Sequence, residues 1–275
     1  MSLLRVESLT KKFGGLNAVE DLSFDIQPGV VYSIIGPNGA GKTTLLNLLS
    51  GVYKPSAGHI VFEEHDLTGR APYEFAGHGI ARTFQNLQVF FNMSALENVM
   101  VGRYLHERCG LVSALLRAPR LQRAEQRCRE QAAELMCYVG LQDYLSAAAD
   151  AMPYGALKRL EIARALATEP KLILLDEPAA GLNPTEAIEL DDLIVRISKR
   201  GVTVGLVEHN MRLVMGVSDH ILVLDYGRKL AEGSAMSIRN DPKVIEAYLG
   251  SAVAHGSSYG NEIASAVAVA VAMHR

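Results

Sequence analysis

The chain has no tryptophan, and aromatic residues make up only 6% of it. Hydrophobic residues nonetheless reach 49%, so a sizeable and mainly aliphatic core is available. Cysteine is scarce as well. Cys109, Cys128 and Cys137 lie in one region, are odd in number and match no zinc or redox spacing, which argues against a disulfide scaffold and for reduced thiols. The eight histidines are too scattered to suggest a metal site. No run of about twenty apolar residues occurs, which excludes a membrane-spanning helix. Arg5 and Glu7 interrupt any apolar signal segment, so the chain is expected to stay in the cytosol. An excess of one charge is also lacking: the net charge of -3 leaves no electrostatic footprint for nucleic acid, and no nucleic-acid partner is expected. The 275 residues suffice for one large α/β domain with an insertion, or for two modest domains.

Against that background, the run Gly36-Pro37-Asn38-Gly39-Ala40-Gly41-Lys42-Thr43-Thr44 carries the most information. Residues 30–35 read as a buried strand; Leu45, Leu46, Leu48 and Leu49 continue as a helix that Gly51 can end. A Gly-x4-Gly-Lys-Thr pattern between strand and helix is a phosphate loop. Backbone N–H groups along Gly36, Asn38, Gly39, Ala40 and Gly41 turn toward phosphate oxygens, and the helix N-terminus adds its positive dipole end. Lys42 adds a mobile full charge, Thr43 is placed to ligate Mg²⁺, and Thr44 is a further phosphate contact.

The rest of the chain supplies the frame. Residues 1–28 alternate apolar positions such as Val19, Phe24 and Ile26 and are broken by Gly14-Gly15 and Pro28-Gly29, so they read as short strands, with another at 58–62. Between about 86 and 166 the period becomes helical. Leu121, Cys128, Ala132, Leu135, Met136 and Val139 line one face, and Gly140 is a suitable stop. Residues 172–175, 202–207 and 221–224 then read as buried strands separated by helices, the βαβ signature of a parallel sheet. Residues 251–261 are small and polar and 264–272 alternate Ala and Val; they form a tail, read as a poorly ordered end or as a partner-binding segment.

Hydrolysis of a bound triphosphate needs a carboxylate for the metal and another group to handle the attacking water. Leu172-Ile173-Leu174-Leu175-Asp176-Glu177 supplies both: Asp176 is the candidate for the Mg²⁺ shell and Glu177 for polarising water. Gln85, in Arg82-Thr83-Phe84-Gln85-Asn86, sits where the sheet pattern gives way to the helical one, so its amide is a candidate sensor of Mg²⁺ and water. His209 follows the strand at 202–207, where an imidazole can meet the γ-phosphate and the attacking water.

In this order, these motifs resemble the ATP-binding subunit of an ABC transporter over about residues 3–250. Finer runs, Leu160-Glu161-Ile162-Ala163-Arg164-Ala165-Leu166, Asp176-Glu177-Pro178-Ala179-Ala180-Gly181-Leu182-Asn183-Pro184, Leu213-Val214-Met215-Gly216-Val217-Ser218-Asp219 and Ala247-Tyr248-Leu249-Gly250, are similar to the branched-chain amino-acid permease ATPases, as is the long link at 103–123. The resemblance implies an α/β P-loop NTPase core with a parallel sheet, a small antiparallel β subdomain and a helical subdomain. Residues 1–86 and 167–250 would form the nucleotide-binding core, 87–166 the helical subdomain and 251–275 the tail. It implies that Phe13 stacks on adenine or, in the plainer alternative, packs in a small sheet. It also implies a second ABC ATPase subunit, identical or different, integral membrane permease subunits, an indirect link to an extracytoplasmic solute-binding protein, and a peripheral place on the cytoplasmic face of the membrane.

The signature that closes over the partner's nucleotide in this family is Ser-Gly-Gly-Gln, and here it reads Pro153-Tyr154-Gly155-Ala156. Tyr154 and Gly155 are the residues carried over to nucleotide contact. Pro153 removes a hydroxyl and Ala156 an amide side chain, so slower turnover is expected, or an ATP-binding module with little turnover. Asn183 stands where most members have aspartate. A role in lipid export or on a soluble complex is the alternative to amino-acid uptake. The segment 86–94, with Phe90 and Phe91, is a candidate dock for a cytoplasmic helix of the membrane partner, with core packing as its rival.

Overall fold

The computed structural model describes residues 2–105 and 119–255. Cys109, the middle of the 103–123 link and the Ala-Val alternation of the tail fall outside the described residues. In chain order the chain forms β1 (Leu4–Phe13), β2 (Leu16–Ile26), β3 (Val31–Ile35), α1 (Lys42–Leu49), β4 (Ala57–Phe62) and β5 (His65–Asp66). Next come α2 (Pro72–His78), β6 (Ile80–Arg82), α3 (Ala95–Gly102), α4 (Pro119–Tyr138), α5 (Tyr154–Leu166), β7 (Leu172–Asp176) and α6 (Pro184–Lys199). The last are β8 (Thr203–Val207), α7 (Met211–Val217), β9 (His220–Asp225), β10 (Arg228–Gly233), α8 (Ala235–Arg239) and α9 (Pro242–His255). Among the described residues no helix is long and apolar enough to cross a membrane. Two compact units emerge, Met1–Arg70 with Gly205–Arg275, and Ala71–Val204.

In the first unit an antiparallel sheet runs in the order β2-β1-β4-β5. Its register places Leu4 opposite Ile26 and Phe62, and Val6 opposite Phe24 and Ile60, all of them buried. A slip of one residue would turn that whole set to solvent, so burial fixes the pairing. The register shifts between Val6 and Leu9, where Ser8 has φ 46, and this bulge returns Leu9 to the buried side. A second layer pairs β3 in parallel with β9 and β9 antiparallel with β10. All five residues of β3 are buried. Its first amide is held from far along the chain, Val31 N–H donating to Asp219 Oδ2 at 2.8 Å. Ile35, at its other end, belongs to a cluster with Val214, Ile221, Val223, Ile238 and Val244, against which Tyr248 of α9 packs.

In the second unit β6 pairs in parallel with β7, Ile80 opposite Leu172 and Arg82 opposite Leu174. The helical period read between 86 and 166 is realised in α3, α4 and α5. The inward face of α4 carries Cys128, Ala132 and Met136, Val139 just beyond it is buried too, and Gly140 at φ 80 ends the turn that follows. Cys128 is a buried free thiol and Cys137 an exposed one. Ser94 and Glu97 form a capping box at the start of α3.

Fully buried Asn98 organises the segment before that helix: its Oδ1 accepts the Phe90 N–H at 2.9 Å, and its Nδ2 donates to Phe90 O and Ser94 O, both at 3.0 Å. Phe90 and Phe91 themselves stay about half exposed. Asn98→Ala removes three hydrogen bonds and strands polar backbone, so we expect it to destabilise the protein by about 2 kcal/mol, read as an earlier urea transition.

Candidate functional site

The first unit holds the phosphate loop. β3 runs buried to Ile35, and the chain then turns through three glycines of positive φ, Gly36 at φ 153, Gly39 at φ 81 and Gly41 at φ 100. Gly41 is the N-cap of α1, and a Cβ there would lie 2.4 Å from Ala18 O, so both its angle and its neighbour demand glycine. The turn is pinned at its far side, where Gly227 N–H donates to Ala40 O at 3.0 Å. Lys42 is buried, and its Nζ donates to Gly36 O at 2.7 Å and to Pro37 O at 2.9 Å. The ammonium is thus folded over the loop it would serve, with Asn38, Gly39 and Thr44 lying nearer the surface.

Phe13 ends β1 with its ring 43% exposed, edge-on to Tyr53 at 5.3 Å between centroids, and Lys11 Nζ stands 5.0 Å from its centre. A partly exposed aromatic ring beside a cation is a surface on which a base could stack. His209 is exposed directly after β8, and Asn210 beyond it caps α7, its Oδ1 accepting from Arg212 N–H and Leu213 N–H.

The second unit holds the acids. β7 is buried along its whole length and delivers Asp176, 4% exposed, at its end. Burial pushes the Asp176 carboxyl above its ordinary value, and Arg82, whose Nη2 donates to Oδ2 at 2.9 Å, pulls it back. Glu177 has φ 47, a left-handed conformation uncommon outside glycine, which turns its side chain out of the strand. There its Oε2 accepts from Gln85 Nε2 at 2.9 Å. Two of the residues singled out from the sequence are therefore in direct contact.

The signature segment starts α5. Pro153 takes the N-cap position and offers no side-chain hydrogen bond, while Leu157 N–H donates to its carbonyl at 3.0 Å. Tyr154 is 43% exposed and lies against Gly181, where an added Cβ would meet the ring at 3.0 Å, whereas Gly155 is buried. A Cβ on Gly155 would lie 2.3 Å from Glu186 Oε1. Glu186 is committed: its Oε2 accepts Asn183 N–H and Asn183 Oδ1 accepts Glu186 N–H, both at 2.9 Å. Further along α5, buried Lys158 donates to Gln85 O at 2.9 Å and buried Glu161 accepts Gln88 N–H. Burial raises the Glu161 carboxyl, and the Gln88 amide, then Lys158 and Arg164, oppose it.

Arg82, Lys158, Glu161 and Glu186 were not recognised from the sequence as parts of the site. The first two are charged residues amid apolar ones, a signal of a buried partner, but their partners lie 94 and 73 positions away.

Residues 19–180 match the ABC transporter family model, and residues 228–254 match the model of the branched-chain amino acid ATP-binding cassette transporter. The chain belongs to the ABC transporter ATP-binding family, whose members are ATPases. It is 44% identical over 251 residues to the high-affinity branched-chain amino acid transport ATP-binding protein LivG of Escherichia coli (strain K12), covering 91% of this chain and 98% of that protein. It is 43% identical over 251 residues to BraF of Pseudomonas aeruginosa, with the same coverage. Among solved structures it is similar to a nucleotide-free ATP-binding cassette from an ABC transporter, at TM-score 0.78 and 33% identity over 90% of this chain and 99% of that one. The ADP conformation of such a cassette matches at TM-score 0.78 and 33% identity over 91% and 99%.

Gly155→Ala would drive the Glu186 carboxylate off Asn183 N–H and break the reciprocal half of the capping box that starts α6, which we expect to lower stability by about 1 kcal/mol. Thermal melts of Gly155→Ala, Glu186→Ala and the double variant check this, the double variant losing little beyond Glu186→Ala alone.

Proposed function

We propose that this chain is the ATP-binding and hydrolysing subunit of an ABC importer for branched-chain or other hydrophobic amino acids. The observation that carries the reading is the ordered set of phosphate loop, Gln85, signature, Asp176-Glu177 and His209, joined to a C-terminal segment that matches the branched-chain family. In it, the loop at 36–44 binds the triphosphate, Phe13 stacks on adenine, Glu177 polarises the attacking water, Gln85 senses Mg²⁺ and water, and His209 meets the γ-phosphate and the attacking water. Residues 87–166 act as the helical subdomain and 1–86 with 167–250 as the nucleotide-binding core.

Thr43, Gln85 and Asp176 would hold Mg²⁺, which neutralises phosphate charge when bound. A hydroxyl, an amide and one carboxylate are oxygen donors suited to this hard ion, which prefers to share its shell with phosphates and water.

Two such subunits, identical or different, would close over two ATP molecules and drive a pair of membrane permease subunits, an extracytoplasmic solute-binding protein supplying the cargo. The chain would then sit on the cytoplasmic face of the membrane. Pro153 and Ala156 weaken the signature offered to the partner. Each missing charge-assisted hydrogen bond to phosphate amounts to about 1.5 to 3 kcal/mol of closure, which supports slower turnover and, where the partner is a different subunit with a serine-glycine signature, hydrolysis mainly at the site built on Lys42. The same two residues favour one second reading, an ATP-holding subunit with little turnover.

Glu177→Gln should cut phosphate release by about 100-fold or more and accumulate an ATP-bound dimer on size-exclusion chromatography. Phosphate release unchanged by this substitution would remove Glu177 from its role. Co-purification with a permease whose solute stimulates the ATPase tests the cargo.

A further inference from the structure

The pairing register of β6 against β7 sets Arg82 opposite Leu174, and residues two apart on a strand share a face, so Arg82 is brought beside Asp176. Their side chains are 6% and 4% exposed, a burial that charged groups tolerate only as partners. Thr83 N–H donates to Leu174 O at 2.9 Å and locks the register at the point where the Gln85 loop departs. The guanidinium carbon lies 4.9 Å from the centre of the Phe84 ring, while Nη2 reaches Asp176 Oδ2. An arginine held between an aromatic face and a carboxylate has a fixed orientation, which a flexible lysine would lack.

We propose that Arg82 is a positioning residue for metal-dependent nucleotide binding: by holding Oδ2 of Asp176 it presents Oδ1 to the Mg²⁺ that accompanies ATP. This rests on the ATPase reading above. Groups that orient a metal ligand from behind set metal affinity without touching the ion. The position of Arg82 also ties the metal carboxylate to the start of the loop that carries Gln85, so that Asp176 and Glu177 are each gripped from the same segment, one by Arg82 and the other by Gln85.

The test uses the full chain and its retention of labelled ATP, measured with EDTA and across a Mg²⁺ titration. Arg82→Met should raise the half-saturating Mg²⁺ by about tenfold or more while changing retention in EDTA by less than about twofold, and Arg82→Lys should fall between. A merely structural role would weaken retention in both conditions together, and that result, or an unchanged Mg²⁺ dependence in Arg82→Met, overturns the proposal. Should Arg82→Met not fold, Arg82→Lys decides alone: a raised Mg²⁺ requirement with normal EDTA retention supports the proposal, and a wild-type titration refutes it. If the wild-type chain itself shows no Mg²⁺-dependent retention, the ATPase reading fails and takes this inference with it, whereas normal wild-type behaviour with unaffected variants overturns this inference alone.

Discussion

Total burial of short strands is the constraint on which the chemistry of this chain depends. β3, β7 and β8 are each five residues long and each buried throughout. Nothing along such a strand can meet a ligand, so reactive groups are confined to the residues at and just past its carboxyl end. Each of the three strands has candidate site residues there: the glycine turn after β3, Asp176 and Glu177 at the end of β7, and His209 after β8. The departure has to be abrupt, and the backbone shows it. Gly36 and Glu177 both take positive φ, one at no steric cost and the other in the left-handed region uncommon for a residue with a side chain.

A second device stiffens the acidic half. Within its unit, α5 begins with the signature residues and then grips the Gln85 loop at two points, through Lys158 to Gln85 O and through Glu161 to Gln88 N–H. Tyr154 meanwhile lies on Gly181, and Gly155 leaves room only for Glu186. Signature segment, Gln85 loop and the segment after Glu177 are therefore in direct contact with one another. Proline at the helix start suits this role, because its fixed φ and missing donor are no loss at an N-terminus.

Much of this is legible in the sequence, and for definite reasons. Strands β3, β7, β8 and β9 are mainly apolar runs with glycine or acid at or just past their ends, and the boundaries read from them agree to within a residue or two. α4 announces itself through its stripe of Cys128, Ala132 and Met136. β6 does not, because three residues carry no period, nor does β10, because Arg228, Lys229 and Glu232 make it look like a solvated turn. The phosphate loop and the acids are recognisable because their chemistry is local. Arg82, Lys158 and Glu186 are not, since a charge placed against other groups shows its purpose only through a partner that the fold supplies.

The long-range pairing of β3 bears on how the molecule folds. The glycine turn precedes its supports in the chain, and β3 needs Asp219 to hold its first amide and β9 to flank it. Ile35, the last residue before the turn, gains its neighbours only when Ile238, Val244 and Tyr248 have joined it. The strand that leads into the glycine turn is therefore flanked and held only once a segment 188 positions further along the chain is in place, so its contacts are among the most non-local in the fold.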